Sequence, residues 1–290
     1  MEYIFEKFTE WLRELLTGGV LSNIRGMFTS INEQVGDISS QVGATPAGWN
    51  TAVYRMIREL SDTVVLPLAG TVLAVVMTLE LISMLTQKNG MHDVGFPEFF
   101  RWMFKTACAV LIVTNTWNIV MGIFDAAQSL VTASSNLIRS DAALTLENSL
   151  PAFEQKLRQM EVWELLGIWL QSAVAQLAMS VITVCIFIIT YGRMIEIYLY
   201  TSVAPLPMAM VMNREHTAGS GENYLRSLMA LGLQGLLMIV CVAIYTALVR
   251  NIVVTADISG ALWTCMGYTV LLCFTLFKTS AVSRSLLSAH

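Results

Sequence analysis

The sequence predicts an all-α fold, a polytopic membrane helical bundle of five to six spans with amphipathic helices at its N-terminus. Of its 290 residues, 55% are hydrophobic and only 13% are charged, whereas soluble domains are about 25% charged. The charges fall between long uncharged windows, each near the roughly 20 residues that a helix needs to cross a bilayer. This composition excludes a disordered chain and an ordinary soluble enzyme. The net charge of −4 gives no basic field for binding nucleic acid.

Residues 1–62 are predicted to form amphipathic or interfacial helices, and residues 63–290 the transmembrane helical domain. Residues 1–17 place apolar side chains on one face and glutamates on the other, and Gly18-Gly19 predicts the end of this helix. Its acidic face is not typical of a helix that binds anionic lipid. Docking on protein, lying at a neutral interface and simple surface anchoring all remain open.

Residues 21–42 carry apolar side chains at alternating spacings of three and four, a pattern typical of a helix–helix seam. This predicted seam consists of Leu21, Ile24, Phe28, Ile31, Val35, Ile38 and Val42. Gly26 and Gly36 weaken an isolated helix. We therefore expect packing to order it, either within its own bundle or against a neighbouring subunit. Residues 43–50 are predicted to form a turn or linker.

Six windows are long and apolar enough to be considered as spans. They lie at about 63–86, 103–125, 163–192, 195–213, 227–249 and 258–278, with the inter-span region at 126–162. Inside the second window, Asn115, Trp117 and Asn118 are polar groups for which interhelical hydrogen bonding is the ordinary expectation.

The window at 195–213 is doubtful as a span. It contains Pro205 and Pro207, which each remove a backbone donor and disfavour the α conformation in the preceding residue. In hydrocarbon such a break survives only where neighbouring helices or a wet cavity satisfy the backbone. A kinked span in the protein interior and a re-entrant segment both remain open.

The sequence contains no recognisable catalytic or nucleotide-binding motif, which favours a protein that is not an enzyme. His92, His216 and His290 fall in predicted loops or at the terminus. The five cysteines lie in apolar windows without metal-ligand spacing, so we expect small buried hydrophobes. No catalytic residue, cofactor or metal site is expected.

A few charged residues lie at predicted membrane depth. They are Glu80, Arg193 and Glu196, with Lys105 and Asp125 at span ends. Such groups usually face a bundle interior, a partner or a wet path. Arg193 and Glu196 share a helix face, so they either line a translocation path or subunit contact, or form a structural ion pair. Glu80 has no local partner, so a cation would have to come from another helix.

A stretch of small residues and prolines, Tyr200-Thr-Ser-Val-Ala-Pro205-Leu-Pro-Met, precedes a polar turn, Asn223-Tyr224-Leu225-Arg226 and another span. With the amphipathic N-terminal region and the segment between the second and third spans, it resembles the TrbL-like polytopic membrane subunit of conjugative type IV secretion systems. The resemblance is strongest to the forms carried by conjugative elements of Gram-positive bacteria.

The resemblance implies a multi-pass subunit of the bacterial cell membrane that forms a homo-oligomer and helps form the path for DNA and protein transfer. It implies transport ATPases, a coupling protein and a cell-wall hydrolase-like component as partners. It also implies an N-terminal tail outside the cell, whereas the Lys and Arg distribution weakly favours a cytoplasmic tail. The side of the tail stays open, and the charge gives no support for direct contact with DNA.

Two other classes of protein fit the sequence. A secondary transporter would use the broken helix at Pro205 and Pro207, although such folds usually show a second, related break. A purely structural membrane scaffold would need no wet path. Mass measurement in detergent would separate a ring-like oligomer from a monomer that binds a small solute.

Overall fold

The computed structural model of the protein describes residues 2–87, 96–139, 150–211, 219–252 and 258–289. Every regular element in these ranges is a helix, which confirms the all-α prediction. The elements are α1 (Glu2–Val42), α2 (Pro46–Trp49), α3 (Thr51–Leu60), a π-helical turn (Ser61–Val65), α4 (Leu66–Gln87), α5 (Phe96–Thr114), α6 (Thr116–Arg139), α7 (Leu150–Gln159), α8 (Val162–Ser202), α9 (Pro205–Ala209), α10 (Ser220–Ile252) and α11 (Ile258–Leu286).

Four helical stretches among the described residues are long and apolar enough to cross a membrane. They are Thr51–Thr86, Val162–Ser202, Ser220–Arg250 and Ile258–Leu286. A fifth candidate is the pair Phe96–Thr114 and Thr116–Ser135, bent by 65° as a broken span or a re-entrant loop. The doubtful window at 195–213 is not among these candidates. Its first residues extend α8 to Ser202, only the short α9 follows, and residues 212–213 lie outside the described ranges.

The bend between α5 and α6 interrupts the predicted span at 103–125. Three consecutive side chains there bond to carbonyls of the preceding turn: Thr114 Oγ1 at 2.8 Å, Asn115 Nδ2 at 2.9 Å and Thr116 Oγ1 at 3.1 Å. Such side-chain bonds compete with the helical backbone and favour bending. The interhelical bond expected of Asn115 is therefore wrong, since its amide donates to Leu111 O in its own helix.

The described residues pack into two compact units. Unit 1 comprises Met1–Val42, Thr132–Thr190 and Leu237–Thr279, and unit 2 comprises Gly43–Val131, Tyr191–Leu236 and Ser280–His290. The predicted division of the chain at residue 62 lies within the helical stretch Thr51–Thr86 and stays a prediction.

The N-terminal helix does not end where the sequence suggested. The end predicted at Gly18-Gly19 is wrong, because α1 continues through both glycines to Val42. In unit 1, a Cβ atom on Gly19 would lie 2.6 Å from Trp169 Nε1. This close packing supports the helix where intrinsic propensity is low, because tertiary contacts supply most of a helix's stability.

In unit 1, α1 packs along the first half of α8 and runs in the same direction. Asn23 Nδ2 donates to Ser172 Oγ at 2.9 Å, and Gln34 Nε2 donates to Thr183 Oγ1 at 2.6 Å. Both pairs are separated by 149 residues. A constant offset along the two helices defines a parallel pair.

The predicted seam of α1 lies against the rest of unit 1. Ile24, Ile31 and Ile38 are buried, whereas Leu21, Phe28 and Val35 are half-buried. Met27 and Gln34 are also buried, and the sequence pattern did not single them out. The buried stripe is therefore rotated slightly from the predicted one, because it follows the contact with α8.

We expect Gly26→Val to weaken the packing of α1 on α8. A Cβ atom at Gly26 would lie 2.7 Å from Gln176 Nε2, whereas Gly36 has no neighbour within 4 Å. The flexible Gln176 amide must move aside, so we expect a cost at the low end of the range for overpacking, about 1 kcal/mol. Thermal unfolding of the purified protein in detergent should show a lower Tm for Gly26→Val than for the control Gly36→Val. Equal Tm values would contradict the close approach at Gly26.

Candidate functional site

In unit 2, polar side chains and prolines meet where α8 ends. Pro205 and Pro207 cannot donate backbone hydrogen bonds, and the backbone hydrogen bonds at this point become shorter in sequence span. Ala204 N donates to Thr201 O at 3.3 Å, and Leu206 N donates to Val203 O at 3.1 Å. These bonds span three residues instead of four, so the backbone turns out of the α-helix and stays hydrogen-bonded.

The turn releases the carbonyl of Tyr200 from its usual helical partner, because Ala204 N bonds to Thr201 instead. The buried Tyr224 of α10 takes its place, with its hydroxyl donating to Tyr200 O at 2.8 Å. The two rings stack with centroids 6.1 Å apart. The two parts of the motif singled out in the sequence, 200–208 and 223–226, thus contact each other, which the sequence alone did not reveal.

The short helix α9 is packed inside unit 2. Met208 belongs to an apolar cluster with Trp117 of α6 and Tyr198 of α8. Ala209 belongs to a second cluster, which α4 and α5 form with Ala69, Leu73, Val76, Met77, Ala109 and Val113. Pro205 is also buried. The proline break is therefore enclosed by helices, so its irregular backbone is buried in protein.

Hydroxyl and indole groups fix the elements around this break. Tyr198 Oη donates to Pro46 O at 2.6 Å. Trp117 Nε1 donates to Tyr54 Oη at 3.0 Å, so the interhelical bond expected of Trp117 is present. Both donors are buried, and satisfied buried donors hold neighbouring elements in one arrangement.

Glu196 pairs with a cation that the sequence did not suggest. Its carboxylate forms an ion pair with Arg284 of α11, 88 residues away along the chain. The Arg284 guanidinium also lies over the ring of Tyr200, with Cζ 5.9 Å from the ring centroid. This Glu196–Arg284 pair ties the end of α8 to the last helix within unit 2.

Arg193 lies one turn before Glu196 and is buried, with 7% of its surface exposed. Its Nε atom has no hydrogen-bond partner among the described residues. A buried donor without an acceptor is costly. The mutual pairing considered for Arg193 and Glu196 is thus not the ion pair that the structure describes, which joins Glu196 to Arg284.

Glu80 of α4 forms an ion pair with Lys105 of α5 in unit 2. About a quarter of each side chain is exposed. Beside it, Trp102 Nε1 donates to Met77 O at 3.2 Å and Thr106 Oγ1 contacts Met77 Sδ at 3.3 Å. The cation that Glu80 needed from another helix is therefore Lys105, which the sequence placed only at the end of a span.

Among the described residues, no group of three His, Cys, Asp or Glu side chains is placed to hold a metal ion. The three histidines lie outside the described ranges. The five cysteines are free thiols, and only Cys265 and Cys273 are fully buried. The polar groups that the structure brings together at this site are ion pairs, hydroxyls and backbone carbonyls.

We expect Tyr224→Phe to destabilise unit 2 by about 1–3 kcal/mol, because it leaves the Tyr200 carbonyl without its donor. Chemical unfolding in detergent measures this change. Tyr268→Phe is the control, since its half-buried hydroxyl has no hydrogen bond to a described residue. If the two variants unfold at the same denaturant concentration, the Tyr224 hydroxyl does not stabilise the break.

Comparison with known proteins identifies the family. A family model described as TrbL/VirB6 plasmid conjugal transfer like protein matches residues 31–205, more than half of the chain. No curated protein and no solved structure matches this chain. The matched region begins within the seam of α1, contains the Glu80–Lys105 pair and Glu196, and ends at Pro205, so Arg284 lies outside it. The chain therefore belongs to the TrbL/VirB6-like conjugal transfer family, as a multi-pass cytoplasmic membrane subunit of a bacterial type IV secretion system.

Proposed function

We propose that this protein is a non-enzymatic channel or scaffold subunit that helps form the transfer path of a conjugative type IV secretion system of the Gram-positive type. The observation that carries this proposal is the cross-helix pairing of ionisable groups, Glu80 with Lys105 and Glu196 with Arg284. Ionisable groups within spans or near their ends are costly to bury and usually mark a path or a partner contact.

The proline break supports the same proposal. The helix is interrupted between α8 and α9, yet nearby donors bond to the backbone carbonyls there. The apolar side chains of α9 lie in two clusters. Irregular backbone in a membrane protein is tolerated where it is buried in protein or lines a cavity. An interior built in this way suits a subunit whose helices surround a route for substrate.

We infer that several copies assemble and work with transport ATPases, a coupling protein and a cell-wall hydrolase-like component. The first part of α1 supports a contact outside its own chain. Tyr3, Ile4, Phe5, Phe8 and Trp11 each leave more than half of their surface exposed. Exposed apolar patches of this kind mark protein or membrane contacts. Direct contact with DNA is not part of the proposal.

A secondary transporter is the second candidate, and one observation favours it. Besides the break at α9, the pair α5 and α6 is bent by 65° at Asn115, so the described helices contain two interruptions. Transporters of this class bind substrate at paired discontinuous helices. Native mass measurement in detergent separates the candidates, because a ring-like oligomer supports the secretion subunit and a solute-binding monomer supports the transporter.

We expect Glu80→Gln to lower conjugative transfer at least tenfold while membrane level and assembly stay normal. The substitution leaves the Lys105 ammonium opposite a neutral amide, and a half-buried cation then lacks its counter-charge. Mating frequency and membrane immunoblotting measure the two quantities. The exposed Glu59 on α3 supplies the control Glu59→Gln, which should transfer normally.

The exchange Glu80→Lys with Lys105→Glu keeps one charge of each sign and should restore part of the transfer. Normal transfer by Glu80→Gln alone would remove Glu80 from the mechanism.

A further inference from the structure

The level of α1 relative to the bilayer can be read from its neighbours in unit 1. Like α1, α11 runs parallel to α8. Ser259 Oγ donates to Gln171 Oε1 at 2.6 Å, across an offset of 88 residues. The thiols of Cys273 and Cys185 contact each other at the same offset. Residues of α11 and α8 that differ by 88 therefore lie at the same height.

The uncharged part of α11 is short, so it fixes where the hydrocarbon lies. It runs from 258 to 277 and ends at Lys278, about the length that a helix needs to cross a bilayer. The offset of 88 residues places this stretch level with 170–189 of α8, which is also uncharged. The uncharged stretches of α8 and α11 thus define the same hydrocarbon-spanning section.

The offset of 149 residues between α1 and α8 places residues 21–40 of α1 level with that section. One face of α1 over this length is exposed and carries only polar residues and glycine. It consists of Ser22, Arg25, Thr29, Asn32, Glu33, Gly36, Asp37 and Ser40, here named the α1 polar face. Three of its members carry a formal charge.

The α1 polar face is unsuited to lipid. Charged residues at bilayer depth are costly and normally face water or a partner. The exposed surface of α8 at the same height is apolar instead, with Leu170, Leu177, Val181 and Val184. Lipid can therefore cover α8, but it cannot cover α1 without burying Arg25, Glu33 and Asp37 in hydrocarbon.

The face is also unsuited to packing against another helix. The apolar seam of α1, including Ile24 and Ile31, is already buried in its own chain. Small residues such as Thr29 and Gly36 permit close packing between membrane helices, but the long charged side chains of Arg25 and Glu33 on the same face prevent that close approach. Water is the occupant that suits the charged members Arg25, Glu33 and Asp37.

We propose that the α1 polar face lines a water-filled path across the bilayer, formed when copies of this chain assemble. The sequence of α1 did not suggest this, because it is too polar to be counted as a span. The proposal rests on the proposed function for what moves along the path. Access of water to the face is measured independently of transfer.

The test uses single cysteines in the full chain after the five native cysteines are replaced by alanine. Thr29→Cys lies on the α1 polar face, and Leu177→Cys lies on the exposed apolar surface of α8 at nearly the same height. In intact membranes, we expect a membrane-impermeant cationic thiol reagent to label Thr29→Cys at least tenfold faster than Leu177→Cys. Equal labelling rates, or disulfide-linked copies through Thr29→Cys that stay unlabelled, would overturn the proposal.

A second measurement needs no cysteine replacement. Thr29→Lys should keep the wild-type membrane level because its ammonium reaches water, whereas Leu177→Lys should lower it severalfold. Similar losses in both variants would count against the path. If Thr29→Cys stays unlabelled while mating is normal, the α1 path is refuted and the proposed function is not. If Thr29→Cys is labelled rapidly while Glu80→Gln transfers normally, only the role of Glu80 in transfer is refuted.

Discussion

The interior of a helical bundle offers no water to a freed carbonyl or a charged side chain, so each such group must find its partner within the protein. The helix break after α8 depends on this constraint. Two prolines shift the backbone bonds, the carbonyl of Tyr200 becomes available, and the hydroxyl of Tyr224 bonds to it. The same reasoning applies to Glu80 and Glu196, whose counter-charges come from other helices.

Features set by local composition could be predicted from the sequence. The all-α class follows from uncharged windows of bilayer length, and the seam of α1 follows from its heptad spacing. The bend at Asn115 was missed, although Thr114-Asn115-Thr116 is a local signal, since three neighbouring side chains can bond to helix carbonyls. An interhelical bond was expected of Asn115 instead, and its amide bonds within its own helix.

Features set by tertiary contact could not be predicted. Glu196 and Arg284 are 88 residues apart, and the sequence around either residue does not indicate the other as its partner. The continuation of α1 through Gly18-Gly19 depends on the fit of Gly19 against Trp169, and glycine pairs otherwise indicate a helix end. The motif carried enough information to indicate the family, but the contact between its two halves is visible only in the fold.

The parallel packing of α1 and α8 has a consequence for biogenesis. The residues of α8 that α1 contacts are made about 150 positions later, which corresponds to roughly 7–30 s of synthesis at typical translation rates. During that interval α1 has no apolar partner, and its polar side chains disfavour insertion on its own. The N-terminal helix must therefore join spans that are already in the membrane, so its placement is a late step in assembly and a natural point for quality control.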